Sequence, residues 1–337
     1  MQQTESAPFN VIWLQAGSCG GCSMAALGAD DIGIEAALAD FGIHFLYHPT
    51  LSLHSGPETL QILDECVSGE RRVDALCVEG SVLADPFHTR AGRNEPFSKL
   101  IRDVAAQAEN VVAVGSCSAF GGVPAAGSNP AGAEGLQFSE DSYGGLLGPE
   151  FRSKSGLPVV NIAGCAPHPG WITETLVALK LGELHEAELD AFARPRFYAD
   201  KLAHHGCSRN EFYEFKASAE AFGEAGCMME HLGCKATQAA GDCNQRVWSG
   251  GKGCTDAGFA CIACTQPGFE HPGHAFQETP KVAGIPMGLP RDMPKAWFVA
   301  LAALSKSATP TRVKKNATRR HQLIPLWPKK GEETDAK

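Results

Sequence analysis

The sequence lacks any apolar run long enough to cross a bilayer. The longest, residues 296–304, falls far short of the ~20 residues that a spanning helix requires. Ahead of Val11, where the first strand is expected, there is no secretory apolar core and no twin-arginine pair. Basic charge is also scarce, with 29 Lys and Arg against 38 Asp and Glu, a formal net charge of −9. Nucleic-acid-binding proteins usually carry a basic face, so that class is set aside. These absences lead us to expect a cytoplasmic protein with no membrane anchor and no nucleic-acid partner.

What is plentiful is cysteine, thirteen in 337 residues. The cytosol keeps thiols reduced, and an odd count fits a disulfide framework poorly. Thiolate ligation of metal is the better reading. Composition is otherwise that of a globular protein, 44% hydrophobic and 20% charged, and the length allows two cores.

In the first half, strand-like apolar stretches occur at residues 11–14, 43–47, 75–79, 111–115 and 158–163. Amphipathic stretches at 32–41, 58–66 and 97–109 alternate with them. Near-continuous apolar strands alternating with helices indicate a parallel sheet covered on both faces. The expected fold is α/β, a flavodoxin-like doubly wound sheet over residues 1–190.

The cysteines fall at informative places on this pattern. Cys19 and Cys22, separated by two glycines, follow the first strand, while Cys117 follows the fourth and Cys165 the fifth. All four lie just past the carboxyl ends of parallel strands, where such sheets bind ligands. Taken alone, Cys19-Gly-Gly-Cys22 fits a redox dithiol, half a zinc site or half an iron–sulfur site. Assembly of four cysteines from three loops favours a cluster.

From about residue 186 strand periodicity fades, and seven cysteines fall within about sixty residues. Residues 191–294 are expected to form an irregular iron–sulfur domain with clusters as its core. His204 and Cys207, with Cys227 and Cys234, make one set of four donors. Cys243, Cys254, Cys261 and Cys264 make another. With the strand-end four this gives twelve donors in three complete sets, although counting alone leaves zinc open. Cys66 and Cys77 fall on apolar faces and read as small hydrophobes. Residues 295–306 form an amphipathic pattern, and the basic tail from Thr309 reads as a solvated, partly disordered end, or else as a docking segment.

The motifs Cys19-Gly-Gly-Cys22, Gly115-Ser-Cys117-Ser-Ala-Phe-Gly-Gly122 and Gly164-Cys165-Ala-Pro-His-Pro169 resemble the proximal-cluster motifs of [NiFe]-hydrogenase small subunits. His204-His-Gly-Cys207, Gly226-Cys227 and Leu232-Gly-Cys234-Lys resemble the distal-cluster motifs, and Cys243 with Cys261-Ile-Ala-Cys264 the medial ones. Cys254 stands near the position where many members have proline and hold [3Fe–4S], which implies a medial [4Fe–4S] and three [4Fe–4S] clusters in all. The Cys227–Cys234 step is one residue longer than is usual in the family. Gly226-Cys-Met-Met-Glu-His-Leu-Gly-Cys234 and the stretch from Pro280 to Trp297 are similar to the regulatory, hydrogen-sensing class.

The resemblance implies that the [NiFe] centre, where hydrogen is split, lies in a separate large subunit. This chain would relay the electrons within an obligate heterodimer, or a dimer of heterodimers. It would signal to a histidine protein kinase contacted by the tail; the alternative output is a metabolic electron acceptor. A free-standing ferredoxin-like carrier, stable without a large subunit, is a third reading. Glu79 ends the third strand on the proximal edge. It reads as a proton-relay carboxylate or as a strand-end residue bonded to backbone N–H groups.

Overall fold

The computed structural model describes residues 7–320, apart from 31, 91, 247–250, 252, 283–284 and 287–293. Five strands, β1 Phe9–Gln15, β2 Ile43–Tyr47, β3 Ala75–Glu79, β4 Asn110–Val114 and β5 Val160–Ile162, form one sheet. Its order is β2-β1-β3-β4-β5 and every pairing is parallel. This is the doubly wound, flavodoxin-like order expected from the alternation of elements.

The central strands are apolar because both of their faces are covered. All five residues of β3, and all five of β4, are buried. Helix Phe97–Ala105 presents Leu100, Ile101, Val104 and Ala105 to the core, a spacing that keeps one face apolar. Helix Pro57–Ser68 does the same with Ile62, Leu63 and Cys66, and ends on Gly69 in the left-handed conformation. Cys66 and Cys77 are both fully buried in this core, as their apolar settings predicted. Strand β5 is shorter than expected because the Val159 amide donates to Gln137 Oε1 (2.8 Å) instead of joining the ladder.

Buried apolar residues group into one cluster that runs from Phe9 to Ala199 and a second from Ala203 to Phe298. The second is small and rich in alanine and methionine, and Cys227, Cys243 and Cys261 pack against it. Polar groups join the two parts. Arg194, 2% exposed, pairs with Asp190 and donates to the Thr265 carbonyl (2.7 Å). Asp242, 1% exposed, accepts from Trp171 Nε1 (2.8 Å) and Arg246 Nε (2.8 Å).

The tail differs from expectation. The helix expected over 295–306 extends over Lys295–Ala308, and a second helix, Thr311–Ala317, follows it. Val313 and Ala317, four residues apart on that second helix, are buried against Ala217. The first part of the tail is therefore packed rather than solvated. Much of the Pro280–Trp297 stretch, and the tail beyond Arg320, lie outside the described residues.

Val313→Asp would bury an unpaired charge, at a cost on the order of 2 kcal/mol or more. The variant is expected to release the last helix and to admit trypsin at Arg312, Lys314 and Lys315. Limited proteolysis identical to that of the wild type would contradict the packing.

Candidate metal centres

The first site is built where β1, β3, β4 and β5 end. Gly17 and Ser81 bridge the loops after β1 and β3, with the Gly17 amide donating to the Ser81 carbonyl (2.8 Å). Cys22 lies in the first turn of helix Gly21–Ala26, and Cys117 in the first turn of Ser116–Phe120. Gly115, at φ +93°, allows these turns to meet: a Cβ there would lie 2.5 Å from Cys22 Sγ. Any other residue would push the thiol out of place. The Cys22 thiol is pushed well above its ordinary pKa, first by burial, then by the negative charge of Glu79 and by Cys117, Cys165 and Cys19. The structure thus brings the four strand-end cysteines within electrostatic reach of one another.

Glu79, fully buried, sits beneath this loop. Its carboxylate accepts from Trp13 Nε1 (3.0 Å), Gln15 Nε2 (3.2 Å), Ser18 Oγ (2.9 Å), Ser23 Oγ (2.5 Å) and the Cys22 amide (3.2 Å). Burial alone would raise its pKa. The hydrogen bonds from Ser23, Gln15, Trp13 and Ser18 outweigh that and hold it below the ordinary carboxylate value. A relay group needs a pKa near the working pH. The geometry favours a fixed anion that organises residues 15–23, and four of its five donors are side chains rather than the backbone groups expected.

The second set stands beside the first. Burial pushes Cys243 up to about 12, and Cys264 and then Cys254 add to the shift. Cys264 is also pushed to about 12 by burial, and it senses Cys165 of the first set as well as Cys254. Ser116 Oγ, next to Cys117, donates to the Cys264 carbonyl. Cys261 is raised well above its ordinary value by burial and then by Cys234, Cys264 and Cys243. Between Cys261 and Cys264, Ala263 is 2% exposed and held at φ +55°.

His204, Cys207, Cys227 and Cys234 line one small cavity. Burial, then His205 and Lys216, lower His204 to about 4, so its imidazole is neutral at pH 7 with a lone pair free for metal. The Cys261 amide donates to Cys234 Sγ (3.3 Å), which ties this set to the second. Arg209 braces the cavity, donating to the carbonyls of Glu224 (2.6 Å), Gly226 (2.8 Å) and Thr255 (3.1 Å).

All thirteen cysteines are unpaired, and Cys66 and Cys77 stay apart from the three sets in the sheet core. Reactive dithiols have depressed pKa values, and the buried thiols here have raised ones. Such groups ionise when a metal displaces the proton. Eleven thiols and one imidazole, gathered in three sets of four, fit iron–sulfur groups.

Several residues that shape these sites escaped sequence reasoning. Arg209, Arg194 and Ser116 act through backbone carbonyls far along the chain, and although Ser116 lies within a cysteine motif, nothing in the sequence marks its partner. Asp242 was marked by its place beside Cys243. Glu270, whose charge reaches Cys117 and Cys165, had no signal in its neighbourhood.

A parallel sheet carrying cysteine sets from its carboxyl edge outward defines a redox-relay protein, and sequence comparison specifies which. Residues 19–179 match the family model of the NADH ubiquinone oxidoreductase 20 Kd subunit, and residues 199–277 that of the C-terminal part of the NiFe/NiFeSe hydrogenase small subunit. The F420 non-reducing hydrogenase II small subunit of Methanosarcina mazei is 32% identical over 296 residues, 79% of this chain and 74% of that one. The periplasmic [NiFeSe] hydrogenase small subunit of Desulfomicrobium baculatum is 32% identical over 77% of this chain and 84% of its own. Among solved structures, the actinobacterial-type NiFe-hydrogenase from Ralstonia eutropha H16 superposes with a TM-score of 0.73 at 26% identity, covering 94% of each chain. The chain belongs to the NiFe hydrogenase small subunits.

Glu79→Gln keeps the shape of the carboxylate and removes its charge. In the assembled hydrogenase it is expected to lower the thermal midpoint while leaving hydrogen–deuterium exchange intact; lost exchange at an unchanged midpoint would restore the relay. Because the folded pKa lies below the unfolded ~4.3, the charge stabilises the fold fully above that pH. That advantage over the variant is expected to disappear as pH falls through the folded value.

Proposed function

We propose that this chain carries electrons from hydrogen oxidation through three [4Fe–4S] clusters, as the small subunit of a regulatory, hydrogen-sensing hydrogenase. Its large subunit would hold the [NiFe] centre. Cys19, Cys22, Cys117 and Cys165 would hold the proximal cluster, Cys243, Cys254, Cys261 and Cys264 the medial, and His204, Cys207, Cys227 and Cys234 the distal. Clusters held there supply one-electron redox chemistry.

The observation that carries the relay is the order of the donor sets. Cys264 lies within electrostatic reach of Cys165, and the Cys261 amide donates to Cys234 Sγ (3.3 Å), so the middle set borders both others. Cys19 and Cys165 are exposed on the sheet edge, with Met24 67% exposed in the adjoining helix, which suits a surface covered by a large subunit. The chain's own residues orient the donors: Gly115 admits Cys22, Glu79 fixes its loop, and Arg209 holds the distal walls. The neutral His204 removes one ligand charge from the distal set, which favours acceptance of the electron there.

Cys254 supports four-cysteine ligation of the medial cluster, because its charge bears on both Cys243 and Cys264. EPR of the oxidised, as-isolated complex is expected to show no strong [3Fe–4S] signal, and Cys254→Ala is expected to create one. A strong signal in the wild type would overturn the assignment.

The sensing role rests on the sequence of the distal motif and on the basic tail. The cytoplasmic location is part of the same proposal, and among the described residues no helix is long and apolar enough to cross a membrane. Removal of residues 321–337 spares the packed helix Thr311–Ala317. It is expected to abolish control of a histidine kinase while hydrogen oxidation stays within about twofold of wild type. The second reading, a metabolic uptake enzyme, is favoured by relatives named F420 non-reducing hydrogenases. Fast turnover with a soluble acceptor, and kinase activity indifferent to hydrogen, would select it.

A further inference from the structure

Beside the distal donors lies a cation that the relay as described does not use. Lys216 Nζ sits 3.8 Å from the centre of the Tyr213 ring and 4.9 Å from that of Phe298. Tyr213 in turn meets the His204 ring edge-on, with centroids 4.2 Å apart. Phe298 is 3% exposed and comes from the helix Lys295–Ala308, so this helix closes over the lysine from the other side. Lys216 makes no ion pair among the described residues. The nearest acidic influence on it is Glu214, an exposed side chain, and its charge reaches both His204 and Cys227.

The backbone at this position is held against its preference. Lys216 has φ +52°, a conformation glycine adopts freely and a lysine does not. The turn is fixed by the Lys216 amide donating to the Tyr213 carbonyl (3.1 Å) and the Ala217 amide to the Phe212 carbonyl (2.8 Å). A long cationic side chain at a strained position, folded back over two aromatic faces, points to a use for its charge.

Resting on the ligand assignment above, we propose that Lys216 is a fixed positive charge that tunes the distal centre, stabilising its reduced form and so favouring arrival of the electron at the exit. The step is one-electron and involves no proton. The centre gains one negative charge from the medial centre, and the ammonium, flanked by ring faces and half-buried, offsets it more strongly than a fully solvated lysine could. Tyr213 and Phe298 are positioning residues for that charge.

The test uses the intact complex of this chain with its large subunit, in wild-type form and as Lys216→Gln, Lys216→Arg and Lys216→Gly. Iron and acid-labile sulfide are measured first, and the distal centre is then titrated by EPR-monitored potentiometry. Lys216→Gln and Lys216→Gly are expected to lower the distal midpoint, changing the reduced-to-oxidised ratio at fixed potential by on the order of tenfold, about 59 mV for one electron. Lys216→Arg should retain most of the wild-type value. Of the two charge-removing variants, Lys216→Gly should have the higher thermal midpoint, because glycine adopts φ +52° freely, while both lower the potential alike, which separates tuning from stability. Full iron content with an unchanged midpoint in Lys216→Gln would overturn the inference. A wild-type complex with no distal iron–sulfur signal would instead overturn the ligand assignment on which it rests.

Discussion

The contact on which the rest of the molecule depends is the polar seam between the sheet and the segment that carries Cys243 to Cys264. Arg194 reaches the carbonyl of Thr265, Ser116 that of Cys264, and Trp171 donates to Asp242 beside Cys243. Each of these bonds ends within one residue of a donor cysteine. The second apolar cluster is small, so position is set by directional bonds rather than by area buried. Hydrogen bonds to charged groups, such as those of Arg194 and Asp242, typically contribute about 1.5–3 kcal/mol each, and their directionality makes the seam precise. Electron transfer benefits from that precision because the spacing of its centres is fixed in the fold.

The three sets of thiols place an opposite demand on the chain. Burial makes ionisation of the thiols at Cys22, Cys117, Cys165, Cys227, Cys234, Cys243, Cys261 and Cys264 unfavourable without metal. Glu79 is the exception, an anion kept at depth by five donors drawn from β1 and the loop after it. Its negative charge raises the pKa of Cys22 further. The same carboxylate therefore organises the loop and makes its thiol more dependent on metal.

Much of this was legible in the order of residues. The strands announced themselves because burial on both faces leaves no polar positions, as in Ala75–Glu79, and the cysteines marked the carboxyl edge at which they end. Spacing along the chain divided twelve candidate donors into three sets of four. What was hidden acts over long sequence distances. Ser116 meets Cys264 across 148 positions and Arg194 meets Thr265 across 71. The packing of Thr311–Ala317 rests on two small residues, Val313 and Ala317, too faint a stripe to stand out in a basic segment. Lys216 was invisible because its meaning lies in a backbone angle.

The four residues from Cys261 to Cys264 have a further consequence. One end of this stretch meets the distal set through Cys234, and the other meets the first set through Cys165. The same short piece of backbone, folded back on itself at the positive φ of Ala263, thus spans the space between the first and third donor sets. An inserted or deleted residue here would lengthen one gap and misalign the other together, whereas loops outside the seam can change length without touching either. The spacing of the three sets is held at their middle, by that turn together with the seam bonds that anchor it.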